Sequence, residues 1–295
     1  MSLTKEELMY MIRSGEDVSK VDISGITDME QLFRYSKNQS DISGWDVSHV
    51  TNMRYMFMQS SNQSDLSNWN TSSVTTMDHM FTNCTNNSDI SNWDVGNVTN
   101  MKFMFCKSSN TSDISNWDVG NVQYLSHFLY ESNNMSDISN WNVDSILEIT
   151  GLFCSSKNPS DIGGWDVSNV IGMSSLFSMS DNQSDVSNWD VGNVTSMFGM
   201  FHTSTNMSDL SNWDVSNVVT MSTMFFKSPN MSDLSRWNTR SLREATHMFF
   251  SSDNQSDLSN WDISNLIEVD GMFHKESTCK NTQLWYSTLV KLKQL

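Results

Sequence analysis

Two columns of acidic or carboxamide side chains recur through this 295-residue chain at a constant interval of 24 positions. The first runs from Asp41 to Asp257 and always follows a serine, as in Ser40-Asp41 and Ser256-Asp257. The second comprises Asp46, Asn70, Asp94, Asp118, Asn142, Asp166, Asp190, Asp214, Asn238 and Asp262. With successive repeats ~4.8 Å apart, neighbouring carboxylates repel by about 0.9 kcal/mol in water and about 3.5 kcal/mol at an effective dielectric of 20. Such rows must be wet or compensated. Backbone N–H groups at a turn, calcium ions or a basic partner could each do this. The unvarying Ser-Asp pair points the first column to turn N–H groups, at ~1.5–3 kcal/mol per charged hydrogen bond. The second column lies between Trp and Val and tolerates Asn. It is expected to face solvent from a sheet and is the candidate face for a basic protein.

Catalysis has less footing. His49, His79, His127, His202, His247 and His274 fall in three columns, with no Cys or paired carboxylate recurring beside them. His79 and His127 share a column but stand two repeats apart, ~10 Å, too far for one metal ion. Cys84, Cys106, Cys154 and Cys279 have neither CxxC nor metal-ligand spacing and are expected as free thiols. The expectation is a protein that is not an enzyme and holds no cofactor, with a calcium-binding structural array as the alternative.

A fixed period in this range marks a stacked repeat architecture. Tryptophan recurs at Trp45, Trp69, Trp93, Trp117, Trp141, Trp165, Trp189, Trp213, Trp237, Trp261 and Trp285, and nowhere else. An aliphatic residue stands three before each of the earlier ones (Ile42, Leu66, Ile90), a small apolar residue or Thr two after, and Val, Ile or Leu five after. Met53, Met56 and Phe57 follow, repeating to Val269, Met272 and Phe273; one repeat substitutes Leu125, Phe128 and Leu129. Ten exposed indoles would present on the order of 1,500–2,500 Å² of aromatic surface, so the Trp, Met and Phe columns are assigned to the core. Ile42-x-x-Trp45-x-Val47 predicts a short strand and Met53-x-x-Met56-Phe57 a short helical or 3₁₀ turn. The fold expected is a β-solenoid of 24-residue coils with short parallel strands and short helical turns, capped at both ends. Residues 1–20 form the N-terminal cap and linker, with capping-box spacing at Thr4 to Glu7, 21–278 the repeats, and 279–295 a C-terminal cap.

The run Ile-Ser-Asn-Trp-Asp-Val-Gly-Asn-Val-Thr-Asn-Met-x-x-Met-Phe, whole at Ile90 to Phe105, resembles the BspA-like bacterial surface-protein repeat, a relative of leucine-rich repeats. The resemblance covers 21–278 and implies a surface-associated or adhesion-type protein. The column from Asn38 to Asn254 is similar to the stacked Asn of leucine-rich repeats and is expected to point inward, bonding backbone. Nine of its ten members open Asn-x-Ser, Pro159 interrupting the tenth. Glycans ~4.8 Å apart would collide, so these sequons are read as by-products of the repeat.

A formal charge of −17, with 34 Asp and Glu against 17 Lys and Arg, argues against a nucleic-acid partner. No apolar run approaches the ~18 residues of a membrane span, and the start, Met-Ser-Leu-Thr-Lys-Glu-Glu, has no secretory-signal pattern. A monomer with one unidentified, basic protein partner is expected. The variable positions after each first Met, among them Arg54-Tyr55, Lys102-Phe103, Phe198-Gly199 and Phe226-Lys227, read as ordinary surface.

Overall fold

Thr4 starts a helix as its spacing predicts. In the computed structural model, which describes residues 3–273, α1 spans Lys5–Ser14. The Thr4 hydroxyl accepts from the Glu7 N–H at 3.2 Å while the Glu7 carboxylate accepts from the Thr4 N–H at 2.9 Å, so two otherwise orphaned donors are satisfied. Gly15, at φ 81°, ends α1 in the left-handed region, and Leu8 and Ile12 are its buried residues. No helix among the described residues is long and apolar enough to cross a membrane.

Beyond α1 the backbone departs from expectation. Among the described residues parallel pairing is confined to isolated bridges, such as Asn52 with Thr76 and Thr76 with Asn100, and no strand forms. The predicted fold, a β-solenoid or leucine-rich-repeat-like coil of parallel strands and helical turns, is therefore overturned. Each repeat is instead a succession of tight turns. Trp45 N–H donates to the Ile42 carbonyl at 3.1 Å, Val50 to Val47 at 2.9 Å, Met56 to Met53 at 3.2 Å and Ser60 to Phe57 at 3.0 Å. These i to i−3 bonds place Val47, Val50, Met53 and Met56 on one inner side at intervals of three, neither the two of a strand nor the 3.6 of a helix.

Intervening donors serve the neighbouring repeat. Met53 N–H reaches the Thr76 carbonyl at 3.1 Å, Tyr55 that of Asp78 at 3.0 Å, Phe57 that of Met80 at 3.0 Å and Gln59 that of Thr82 at 2.9 Å. This alternation needs a left-handed residue every fourth position: Tyr55 and Gln59 have φ of 54° and 53°, and His79 with Asn83, then Phe103 with Lys107, repeat the pair. Non-glycine residues incur about 1–2 kcal/mol each there, a cost met by bonds that exist only between stacked repeats. Exposed, β-branched Thr203 (φ 52°) bears that strain with little packing to lose. Thr203→Gly is expected to raise the unfolding free energy by about 0.5–1 kcal/mol, read by urea denaturation; a loss of stability would remove the strain argument.

The chain packs as two compact units, one through Ile146 with Ser156–Ser160, the other Leu147–Ser155 with the residues from Asp161 on. In the first, Phe33, Phe57, Phe81 and Phe105 stack at centroid separations of 5.6, 5.7 and 6.0 Å. Phe128 then meets Phe105 edge-on at 5.2 Å, because in that repeat the ring has moved to the Met column. α1 closes this unit, with Asn38 donating to the carbonyls of Ile12 and Glu16 at 3.3 and 2.8 Å. In the second unit Phe153, Phe177, Phe201, Phe225, Phe249 and Phe273 stack at 5.6–6.1 Å. Trp45 through Trp261 are all buried, as expected of a core column. Indole N–H groups reach back to the preceding repeat, Trp93 to the Leu66 carbonyl at 3.0 Å and Trp213 to that of Val186 at 3.0 Å. The expected C-terminal cap at 279–295, with Trp285 and Cys279, lies outside the described residues. Cys84, Cys106 and Cys154 are buried thiols outside any disulfide, and burial pushes the Cys84 and Cys106 thiols up to about 11, which makes these two inert at neutral pH.

Candidate functional site

Both acidic rows are built by turns. In the first row every Asp, from Asp41 to Asp257, accepts with Oδ1 from the backbone N–H two residues on, at 3.0–3.1 Å. That is the N–H capping expected from the Ser-Asp pair. The second row, expected on a sheet face, makes the same Asx turn, since there is no sheet for it to occupy. Asp46, Asn70, Asp94, Asp118, Asn142, Asp166, Asp190, Asp214, Asn238 and Asp262 each accept from the N–H two residues on, at 2.9–3.3 Å. All ten are exposed. The mixture of Asn and Asp follows directly, because only one side-chain oxygen is needed for the turn and both residues supply it. The second oxygen of each carboxylate takes no part in that bond.

At Asp41, Asp46 and Asp166 these hydrogen bonds outweigh the influences that oppose ionisation. The Ser43 N–H and hydroxyl hold the Asp41 carboxyl below the usual carboxylate range, with neighbouring Asp65 a lesser opposing influence. The hydroxyl and N–H of Ser48 do the same for Asp46, and those of Ser168 for Asp166. A carboxylate with a depressed folded-state pKa contributes stability above its unfolded value, near pH 4, and loses it as pH falls through the folded value. Melting temperature is therefore expected to fall slightly between about pH 6.5 and 5, where burial disfavours protonation of His79 and His202 in the folded chain, and to fall steadily below about pH 4 as the Asp carboxylates protonate. A melting temperature that rose on acidification would mean that charge repulsion dominates instead.

The serine of the Ser-Asp pair carries a role that the sequence reading left to its neighbour. Ser64 Oγ accepts from the Ile42 N–H at 3.0 Å and donates to the Ser40 carbonyl at 3.1 Å, bridging successive repeats. Ser208 does likewise with Val186 and Ser184, at 3.0 and 3.1 Å. Its recurrence in every repeat was the available signal. The Asn column points inward as expected: Asn62 Nδ2 donates to the Asn38 and Ser40 carbonyls at 3.1 and 3.0 Å, and Oδ1 accepts from the Ser64 N–H at 2.9 Å.

Some positions read as ordinary surface form ring strips. In the first unit Tyr55, His79 and Phe103 stack face to face at 4.5 and 4.4 Å, and His127 meets Phe103 edge-on at 4.5 Å. In the second, His202, Phe226 and Phe250 stack at 4.8 and 5.2 Å. Because the rings cover one another's faces, each strip presents mainly edges, a poor platform for stacking a sugar or base. Phe103 separates His79 from His127, and burial lowers the His79 pKa, favouring neutral imidazole. Among the described residues no three His, Cys, Asp or Glu side chains converge as a metal site would require.

Four overlapping stretches, residues 6–111, 60–160, 149–255 and 203–291, match a family model described as "Mycoplasma protein of unknown function, DUF285". The overlap of the matched stretches is what a tandem repeat produces. No curated protein and no solved structure matches the chain.

Proposed function

We propose that this chain, which belongs to the repeat family of Mycoplasma proteins of unknown function, DUF285, is a non-enzymatic protein-interaction surface whose Asp46 row receives a basic partner. The observation that supports this is the row itself. In each unit five exposed side chains of the row, three of them carboxylates in the first and four in the second, are fixed by their own turns while the large apolar columns are committed to the core. Preset charges of this kind steer a cationic partner and fix its register. The BspA-like likeness of Ile90 to Phe105 supports an adhesion-type, surface-associated setting for the same row.

Asparagine at positions 70, 142 and 238 supplies the control. Asp94→Asn, Asp118→Asn, Asp166→Asn and Asp190→Asn in one chain remove four charges yet keep every Asx turn. The melting temperature is expected to change little while capture of the basic partner from the native host weakens at least about fourfold, from ~0.2–1 kcal/mol per exposed charge. Equal capture by the variant and the parent would reject the acidic row as the contact surface. Melting with calcium against chelator tests the calcium array, which requires a large calcium-dependent rise.

A further inference from the structure

Against the acidic background of 34 carboxylates to 17 cations, one concavity has the opposite character. It lies in the first unit between the end of α1 and the first repeat, has a volume of about 730 Å³, and is lined by Arg13, Arg34, Lys37, Tyr35 and the apolar Ile12 and Leu32. None of its lining residues is Asp or Glu. The nearby Glu16 carboxylate accepts from the Ser14 hydroxyl at 2.7 Å. Other cations of this region are neutralised, Lys5 by Asp28 at 2.8 Å and Arg54 by Asp78 at 2.8 Å. Arg13, Arg34 and Lys37 make no ion pair with a described residue.

Arg34 is also held in place. Its Nη1 donates to Gln31 Oε1 at 3.0 Å and its Nη2 to the Tyr35 hydroxyl at 3.0 Å. The guanidinium lies over the Tyr35 and Tyr55 rings, 4.8 and 5.2 Å from their centroids. Its Nε is buried, so the charge it offers the cavity is carried by the outer part of the guanidinium. A fixed guanidinium, two exposed cations beside it and a small-molecule-sized concavity without a carboxylate in its lining together suit a multivalent anion.

We infer that this cavity binds a small soluble anion of the phosphate class, held by Arg34 at its wall and by Arg13 and Lys37 at its mouth. A phosphate group can be free or borne by a lipid. The net charge of −17 opposes approach to an anionic membrane, so the soluble form is the one assigned.

Calorimetry on the full chain at fixed ionic strength, with pyrophosphate and inorganic phosphate as probes, tests this directly. Pyrophosphate is expected to bind about tenfold more tightly than phosphate. The double variant Arg13→Gln, Lys37→Gln, both positions exposed, should weaken pyrophosphate at least about tenfold without altering the anion-free melting temperature. Arg34→Lys keeps the charge but loses the planar fork and should also weaken binding. Binding no stronger than that of chloride, or full affinity in the double variant, overturns the inference. Flotation with phosphatidylglycerol vesicles, using phosphatidylcholine as control, separates the sources. Vesicle binding without pyrophosphate binding would overturn the soluble assignment.

Discussion

Asn206→Ala is expected to lower the unfolding free energy by roughly 2–4 kcal/mol, among the largest single losses available outside the aromatic core. Asn206 is 1% exposed. Its Nδ2 donates to the Asn182 and Ser184 carbonyls at 3.2 and 2.9 Å, and its Oδ1 accepts from the Ser208 N–H at 3.0 Å. Alanine would take one donor from the Asn182 carbonyl and one from the Ser184 carbonyl, which keeps the Ser208 hydroxyl at 3.1 Å, and would leave the part-buried Ser208 N–H without its acceptor; a buried polar group deprived of its bond costs about 1–3 kcal/mol. Because two of these groups lie in the preceding repeat, the loss falls on the contact between repeats, which carries the cooperativity of a stacked array. Asn238→Ala removes the same side chain from an exposed Asx turn and should cost only about 0.5–1 kcal/mol. Urea unfolding of the two variants decides the matter: similar losses would mean that the inward column is not what couples the repeats.

The aromatic spine gives the second large effect. Phe201 is fully buried, stacked on Phe177 at 5.7 Å and Phe225 at 6.0 Å and tilted against Trp213 at 6.2 Å. Phe201→Ala should destabilise by about 3–5 kcal/mol, the transfer loss plus the cavity left in a stack that cannot close without breaking inter-repeat hydrogen bonds. The chain itself contains a repacked solution, since Phe128 and Leu129 occupy the Met and Phe columns and the ring still meets Phe105. Met200→Phe with Phe201→Leu is therefore expected to recover more than half of the stability lost in Phe201→Leu alone. No recovery would show that ring position, and not merely buried volume, is specified in the second unit.

What each residue type does was largely readable from spacing. The Trp, Phe and Met columns are too apolar to be left in water at such density, the Asn column too regular to be anything but a backbone partner, and the Thr4 and Glu7 pair a helix start. The Asp41 row was legible for the same reason, because a Ser-Asp pair repeated without exception fits a local turn. The role of its serine was not, since the hydroxyl bridges residues 22 and 24 positions apart in the chain.

The path of the backbone was decided only by tertiary structure. Trp45-x-Val47 read locally as a strand, and the Met spacing as a short helical or 3₁₀ turn. Yet the repeated interval of three through Val47, Val50, Met53 and Met56 belongs to tight turns whose i to i−3 bonds fill alternate donors. Such a chain is unfavourable alone, because residues such as Tyr55, His79 and Phe103 must adopt positive φ without being glycine. The compensating N–H to carbonyl bonds reach into the next repeat, so the conformation gains its stability from neighbours that no local window contains. The Asp46 row shifted from a sheet face to a line of Asx turns for that same reason: composition set which atoms would be outside, and stacking set the backbone that holds them there.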